Sequence, residues 1–338
     1  MSQIREKRWH PLLQEWVIIA ESTASRPWNG AVSKIEENDT NNYDSNCYLC
    51  PTNTRANGKV NADYTFPFSF ENDYPSLAFV DEKLLNEENS LFKSSSAEGI
   101  CKVLVYSRDH SKTLSQFTEN EIEFVIDLWK NEFETLAQNN KIAYILLFEN
   151  KGKIIGVSNP HPHGQLYATD FVPKNIAQMA KSFSEYFTEN GSNILQDIVQ
   201  HELKTNTRVV CENEDWIVIV PYFAQYVYET WLIPKRFFQH LGHLLPNEKT
   251  SLALILKDIL QKYDKLFGFS LPNITQLFNA PLITTSQYKA NHFQFFIKFT
   301  PPLREADKLK YLAGFETAGG NIINPLAPEK AAGILRGL

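Results

Sequence analysis

The stretch SNPHPHGQ, residues 158–165, sets two imidazoles one residue apart among prolines and follows them with glycine and glutamine. In an extended chain alternate side chains share a face, about 6.6 Å apart. If 159–168 is extended, His161, His163 and Gln165 project the same way from a backbone stiffened by Pro160 and Pro162. Two imidazoles on one face can serve different partners. One can ligate a metal. The other, with an ordinary pKa near 6.5, is largely neutral at pH 7 and can attack phosphorus without first losing a proton. Asn150, Lys151, Gly152, Gly156, Ser158 and Gly164 lie around it and offer amides, a hydroxyl and backbone N–H groups to an anionic phosphoryl group. Each is equally an ordinary turn former.

Before this motif, IAYILLFEN (142–150) reads as a buried strand, and TENEIEFVIDLWKNEFETLAQN (118–139) as an amphipathic helix opened by a Thr118/Glu121 capping box. A like order recurs downstream. WIVIVPYF (216–223) and ETWLIP (229–234) read as strands, PNEKTSLALILKDILQKYDKLF (246–267) as a helix, and NITQLFNAP (273–281) and HFQFFIKFT (292–300) as further strands. The halves read as two copies of one unit, with HFQFF standing where HPHGQ stands in the first copy. Only the first keeps the histidine pair. The expected fold is α+β, mainly antiparallel sheet with flanking helices. Residues 1–172 form the half with metal site and nucleophile, residues 173–338 form the second half, and the two meet near 172–210.

With 338 residues, 43% of them hydrophobic, the chain can bury a substantial core. A net charge of −6 gives no positive field to hold a polyanion, so nucleic-acid binding is not expected. MSQIREKRWH is charged where a secretory leader is apolar, and IAYILLF is too short to span a bilayer, so a cytoplasmic protein without membrane contact is expected. Residues 31–62 are polar and interrupted only by CYLCP, a loop that something must pin. Cys47 and Cys50 have the spacing of a metal knuckle, and a structural zinc needs four N or S ligands. His10, His110, His161, His163, His201, His240, His243 and His292 are the imidazoles that could complete it. Cys101 and Cys211 read as buried thiols, and FQFFIKF as strand and core.

SRPWNG (25–30), CYLC (47–50), FENDYPSL (70–77), SRDHSKTL (107–114), FENKGKIIGVSNPHPHGQ (148–165), IVPYFAQYVYETWLIPK (219–235) and KYLAGFE (310–316) together resemble the galactose-1-phosphate uridylyltransferases, the nucleotidyl-transferase branch of the histidine-triad superfamily. The resemblance covers nearly the whole chain and implies two histidine-triad-like halves. It implies that His163 becomes uridylylated, that Gln165 holds phosphoryl oxygens, and that one structural zinc per chain sits on Cys47, Cys50, His110 and His161. Arg26, Asn72, Asp73 and Tyr74 match nucleotide-binding segments, with Asp73 a ribose partner, and Asn150, Gly156 and Ser158 line the phosphates. Lys310, Tyr311, Phe315 and Glu316 match the segment that reaches into the neighbouring subunit's site, so a homodimer with shared sites is implied.

The implied reaction is ping-pong transfer between UDP-glucose or UDP-galactose and hexose 1-phosphates. Gln165 stands where hydrolytic relatives carry a third histidine. A hexose 1-phosphate, with a second pKa of about 6, leaves without needing a proton, so an amide suffices. The rivals are a nucleotide-sugar phosphorylase or adenylyltransferase of the same superfamily, and a zinc-stabilised nucleotide-binding protein without turnover. The chain departs from the family pattern at Thr23, in place of an arginine, and at Phe315, in place of a tyrosine. Met179, Phe278, Phe296 and Lys298 occupy the positions where some members bind a second metal through a glutamate and three histidines, so no second, iron-type site is expected.

Overall fold

A computed structural model of the chain describes residues 4–23, 41–80 and 91–338. Arg26 and the SRPWNG segment lie outside the described residues. The chain opens with a hairpin, β1 (Arg5–His10) and β2 (Glu15–Ala20), followed by β3 (Phe68–Glu71) and β4 (Gly99–Val105). Helix α1 (Glu119–Ala137) starts where the sequence predicts. The Thr118 hydroxyl accepts from Glu121 N at 3.3 Å, and the Glu121 carboxylate accepts from Thr118 N at 2.7 Å. Strands β5 (Tyr144–Lys151) and β6 (His163–Thr169) follow. Residues 174–205, expected only as the meeting of the halves, are two helices, α2 (Lys174–Asn190) and α3 (Ile194–Thr205).

The second half supplies β7 (Val209–Glu212), β8 (Trp216–Ile219), β9 (Thr230–Pro234), α4 (Pro246–Phe267), β10 (Asn273–Phe278) and β11 (Phe296–Thr300). The C-terminal region adds β12 (Leu303–Glu305), β13 (Lys308–Leu309), α5 (Gly314–Gly319), β14 (Ile323–Asn324) and α6 (Pro328–Arg336).

Among the described residues one nine-stranded sheet runs through both halves in the order β3-β4-β6-β5-β10-β11-β9-β8-β7, and every neighbouring pair in it is antiparallel. From the central β5–β10 pair, β6, β4 and β3 lie to one side and β11, β9 and β8 to the other. The chain order β4-α1-β5-β6 is repeated as β9-α4-β10-β11. The repeat read from the sequence is therefore a repeat of topology. Its register differs in one respect from the sequence reading: β11 begins at Phe296, so His292 and Gln294 precede the strand. His292 stacks on Phe187 with ring centroids 4.2 Å apart, and the Gln294 amide donates to Pro234 O at 3.2 Å.

One face of the sheet packs on α1, α4 and α6. Its core runs through Leu104, Trp129, Leu147, Leu166, Leu256, Ile297 and Leu335, all buried. On the opposite face, α2, α3 and the β1–β2 hairpin cover the second half through Val17, Phe183, Leu195, Trp231 and Phe296. Over the first half that face carries a smaller cluster of Leu49, Tyr64, Val103 and Val105 around the two cysteines. The half-buried side chains of His163 and Gln165 stand on this face.

Candidate functional site

The CYLC turn is tied by backbone bonds, Cys47 N to Asp44 O and Cys50 N to Cys47 O, each 3.1 Å. Asn61 Nδ2 reaches Cys50 O at 3.0 Å, and the Tyr64 hydroxyl donates to Leu49 O at 2.6 Å. The loop's polar side chains thus fold it inward and present both sulfurs to two imidazoles. Cys50 Sγ lies 3.6 Å from His110 Nδ1 and 3.5 Å from His161 Nδ1. The two Nδ1 atoms are 3.3 Å apart, and Cys47 Sγ is 3.8 Å from His161 Nδ1. Among the described residues Cys47, Cys50, His110 and His161 are the one group of three or more such ligands, with their donor atoms within 4.8 Å of one another.

These lengths are chemically specific. Bonds of about 2.3 Å from sulfur and about 2.05 Å from nitrogen set tetrahedral edges of about 3.3 Å between nitrogens and about 3.6 Å between nitrogen and sulfur. The donor set fits a tetrahedral metal ion. Burial and the neighbouring Cys47 sulfur push the Cys50 thiol up to about 12, and burial pushes His161 down to about 4. Burial here disfavours both the Cys50 thiolate and the His161 imidazolium, a cost that a bound cation would offset.

Groups behind the ligands fix their orientation. His161 Nε2 donates to Ser107 O at 2.7 Å, which leaves Nδ1 with its lone pair toward the sulfurs. The Asn159 amide donates to Cys47 Sγ at 3.3 Å, while its oxygen accepts from His161 N at 3.0 Å.

The expectation of a strand through 159–168 is corrected at its start. Pro160 and Pro162 lack N–H groups, and β6 begins only at His163. His161 lies before the strand, fully buried, with its ring in the Cys/His cluster, whereas His163 and Gln165 share the half-buried face. The two imidazoles are joined through the backbone. His163 Nδ1 donates to the His161 carbonyl at 2.7 Å. Because a carbonyl only accepts, Nδ1 carries the proton and Nε2 keeps its lone pair. Burial lowers the His163 pKa below the ordinary value. The ring is therefore neutral and oriented, held by the carbonyl of a residue in the Cys/His cluster.

The other residues expected at the site fall into three groups. Asn150, half-buried, is the last residue but one of β5, next to the turn Lys153–Ile155 that Gly156 closes at φ +86°, and Ser158 is exposed just before the histidines. Asn72 accepts from Tyr74 N at 3.0 Å, and the Tyr74 side chain stands in solvent. Asp73 does not stand open: its carboxylate lies 3.8 Å from the guanidinium of Arg55, which rests 4.1 Å above the Phe70 ring. Arg55 and Phe70 escaped notice in the sequence, where TRANG reads as turn-forming loop.

Lys310 and Glu316 pair with each other at 2.7 Å, and Lys310 also donates to Ile323 O at 2.8 Å. Tyr311 and Phe315, over half exposed, flank them with Leu312. Thr23 caps its own turn, donating to Ala20 O at 2.7 Å.

Of the remaining histidines, His201 and His243 are exposed and the others pack on aromatic rings. His10 stacks on Phe223, and His240 lies between Phe133 and His243. Met179, Phe278 and Phe296 are buried among apolar neighbours. Lys298 lies 3.1 Å from the buried carboxylate of Glu229. No helix among the described residues is long and apolar enough to cross a membrane.

Comparison with known proteins agrees with this geometry. The family model for the galactose-1-phosphate uridyl transferase N-terminal domain matches residues 1–173, and that for its C-terminal domain matches residues 179–338. The galactose-1-phosphate uridylyltransferase of Haemophilus influenzae is 39% identical over 98% of this chain and 94% of its own length. That of Schizosaccharomyces pombe is 36% identical over all of this chain and 95% of its own. Among solved structures, an ADP-glucose phosphorylase from Arabidopsis thaliana with bound ADP-glucose superposes with a TM-score of 0.78 at 26% identity, covering 99% of both chains. A uridylyltransferase superposes with a TM-score of 0.77 at 25% identity, covering 99% of this chain and 98% of that one.

Proposed function

The chain belongs to the galactose-1-phosphate uridylyltransferase family, and on that premise we propose that it transfers a uridylyl group between hexose 1-phosphates through a covalent intermediate on His163. The observation that carries this is the hydrogen bond from His163 Nδ1 to the His161 carbonyl, which leaves Nε2 unprotonated on the half-buried face of β6. In the first step Nε2 attacks the α-phosphorus of UDP-glucose. An N–P bond forms, the bridging P–O bond breaks, and glucose 1-phosphate leaves with the electron pair. In the second, a phosphate oxygen of galactose 1-phosphate attacks the same phosphorus and the imidazole leaves, giving UDP-galactose. Gln165, on the same face two residues along, holds phosphoryl oxygens and has no proton to give at this pH, which suits leaving groups that need none. Asn150, Gly156 and Ser158 line the phosphate path, and Arg26, Asn72 and Asp73 serve the nucleoside, with Arg55 holding the Asp73 carboxylate.

The metal is read as a single structural zinc on Cys47, Cys50, His110 and His161. With four protein ligands it leaves no position for substrate. When bound it supplies rigidity, fixing His161 and through its carbonyl the His163 ring. Residues 1–172 and 173–338 are read as the two histidine-triad-like halves, the first alone retaining the chemistry. The chain is read as a cytoplasmic homodimer, the exposed Tyr311–Phe315 segment meeting the partner's site with Lys310 and Glu316.

The test is to mix the protein with UDP-glucose labelled in the α-phosphate and no acceptor. One acid-labile label per site and one equivalent of glucose 1-phosphate are expected, and neither with His163→Ala. Normal labelling of that variant would remove His163 from the reaction. The fold shared with the ADP-glucose phosphorylase makes ADP-glucose the control substrate. Faster labelling from ADP-glucose than from UDP-glucose would favour the phosphorylase reading.

A further inference from the structure

Gly164, between the nucleophile and Gln165, has its open space filled by another residue. A Cβ built on it would fall 2.0 Å from the Tyr106 hydroxyl oxygen, 2.8 Å from Tyr106 Cζ and 3.0 Å from Phe148 O. Because side chains alternate along β6, position 164 faces the core while 163 and 165 face the site. The Tyr106 hydroxyl therefore stands directly behind the strand segment that presents both functional side chains.

Tyr106 is itself firmly held. It follows β4, where Leu104 pairs with Gly164 and Val105 with His163, and its backbone N–H donates to Pro162 O at 3.0 Å. Its hydroxyl accepts from the indole N–H of Trp129 at 3.2 Å, the two rings meeting edge to face at 5.9 Å. Trp129 is fully buried on α1. Burial and the nearby Glu149 carboxylate push the Tyr106 hydroxyl well above its ordinary pKa, so it stays neutral. A rigid column thus runs from α1 through Trp129 and Tyr106 to the back of Gly164.

We propose that Tyr106 is a positioning residue for the transfer reaction, its hydroxyl occupying the place of a side chain at 164 and thereby setting the height of the strand that aims His163 Nε2. The inference rests on the reading that His163 takes the uridylyl group. It explains why a glycine, a poor strand residue, sits inside β6 between two functional side chains: any other residue would displace the hydroxyl. It also gives the nucleophile two independent supports, the His161 carbonyl at its ring and the Tyr106 hydroxyl beneath its backbone.

The experiment compares Tyr106→Phe, Gly164→Ala and the double variant with the native protein. The measurements are kcat and KM for UDP-glucose, bound metal, melting temperature, and the imidazole nitrogen shifts of 15N-histidine protein, with His163 assigned from its loss in His163→Gln. Tyr106→Phe is expected to keep its metal and its KM within about twofold while kcat falls on the order of 10-fold, the scale of a sub-ångström misplacement of a reacting group. Gly164→Ala is expected to fall further. The double variant should recover part of that loss, because removing the oxygen removes the 2.0 Å clash and leaves Tyr106 Cζ at 2.8 Å and Phe148 O at 3.0 Å.

The Nδ1–H tautomer of His163 should be sharp in the native protein, mixed in both single variants and restored in the double. Native kcat in Tyr106→Phe, or losses in the two single variants that simply multiply, would overturn the inference. A native protein that takes no label from UDP-glucose refutes the uridylyl reading instead. In that event the tautomer pattern still decides whether Tyr106 positions His163, since it needs no turnover.

Discussion

Glu149 gives the sharpest quantitative test of how the catalytic strand is supported. Its side chain lies on the core face of β5 beside β6, and burial raises its carboxyl from 4.5 to about 7, with Lys151 opposing the rise. The sign follows from proton counting. Between pH 4.5 and pH 7 the native carboxyl keeps a proton that the unfolded chain has lost, so in this window stability falls as pH rises, and above pH 7 the full penalty of burying a carboxylate is present. A shift of about 2.5 units at 1.36 kcal/mol each gives a penalty of roughly 3 kcal/mol, of which roughly 2.5 kcal/mol develops between pH 5 and pH 8.

Glu149→Gln removes the titration and keeps the shape. Subtracting the variant's urea-unfolding free energy from the native protein's at each pH cancels every other titrating group. The variant is expected to gain about 2 to 3 kcal/mol relative to the native protein on going from pH 5 to pH 8. A difference that stays flat across that range would show that Glu149 is solvated or paired in solution rather than buried beside β6.

Cys50→Ser should lose most of its bound metal and melt well below the native protein, read by metal analysis and calorimetry. Chelation of the native enzyme should inactivate it at the rate the fold loosens; instant inhibition would mean that the metal meets substrate. Lys298→Ala leaves the Glu229 carboxylate, which has no exposed surface, without its cation and should cost about 3 kcal/mol or more in denaturant unfolding, although the residue lies outside the proposed chemistry. His10 is held well below 6.5 by burial and by Lys298, so the unfolded chain takes up a proton below pH 6.5 that the native chain refuses. Native stability should fall by up to about 1.4 kcal/mol per pH unit there, and His10→Asn should flatten that slope.

What the sequence disclosed depended on whether the deciding forces were local. Helices α1 and α4 were legible because caps, periodicity and turn residues all act within a few positions. For α4 the expected range 246–267 is the observed one, with Pro246 at its first turn and Gly268 in the left-handed conformation beyond its last residue. The histidine pair was legible because proline and alternation constrain it at short range.

The choice of His110 among eight histidines was not legible from spacing. It is made by the sheet, which brings β4's exit beside the entry to β6 through the Val105–His163 pairing. Tyr106 was invisible for a related reason: its partner, Gly164, is 58 residues away, and a glycine in a motif reads equally as a turn, a phosphate contact or a vacancy. Arg55 and Phe70 were hidden by composition, since a polar loop gives no sign of which of its cations will lie on an aromatic ring.

The same face of the sheet is covered differently over the two halves. On β6 the outward positions His163, Gln165 and Tyr167 are half-buried among the described residues. On β11 the positions of the same face are Phe296, Lys298 and Thr300, all buried beneath the layer of α2, α3 and the β1–β2 hairpin. The single charge left there, Lys298, is consumed by Glu229, while Gln225 accepts from it at 3.3 Å and donates to Glu15 at 2.7 Å. Two of the three N–H groups of this buried ammonium are thereby taken up within the protein. The covering layer stabilises the second half by burying its face, and the same cover would abolish the first half's site. The half-buried β6 draws rigidity from elsewhere, from the Cys/His cluster at one end of His163 and the packed Tyr106 beneath it.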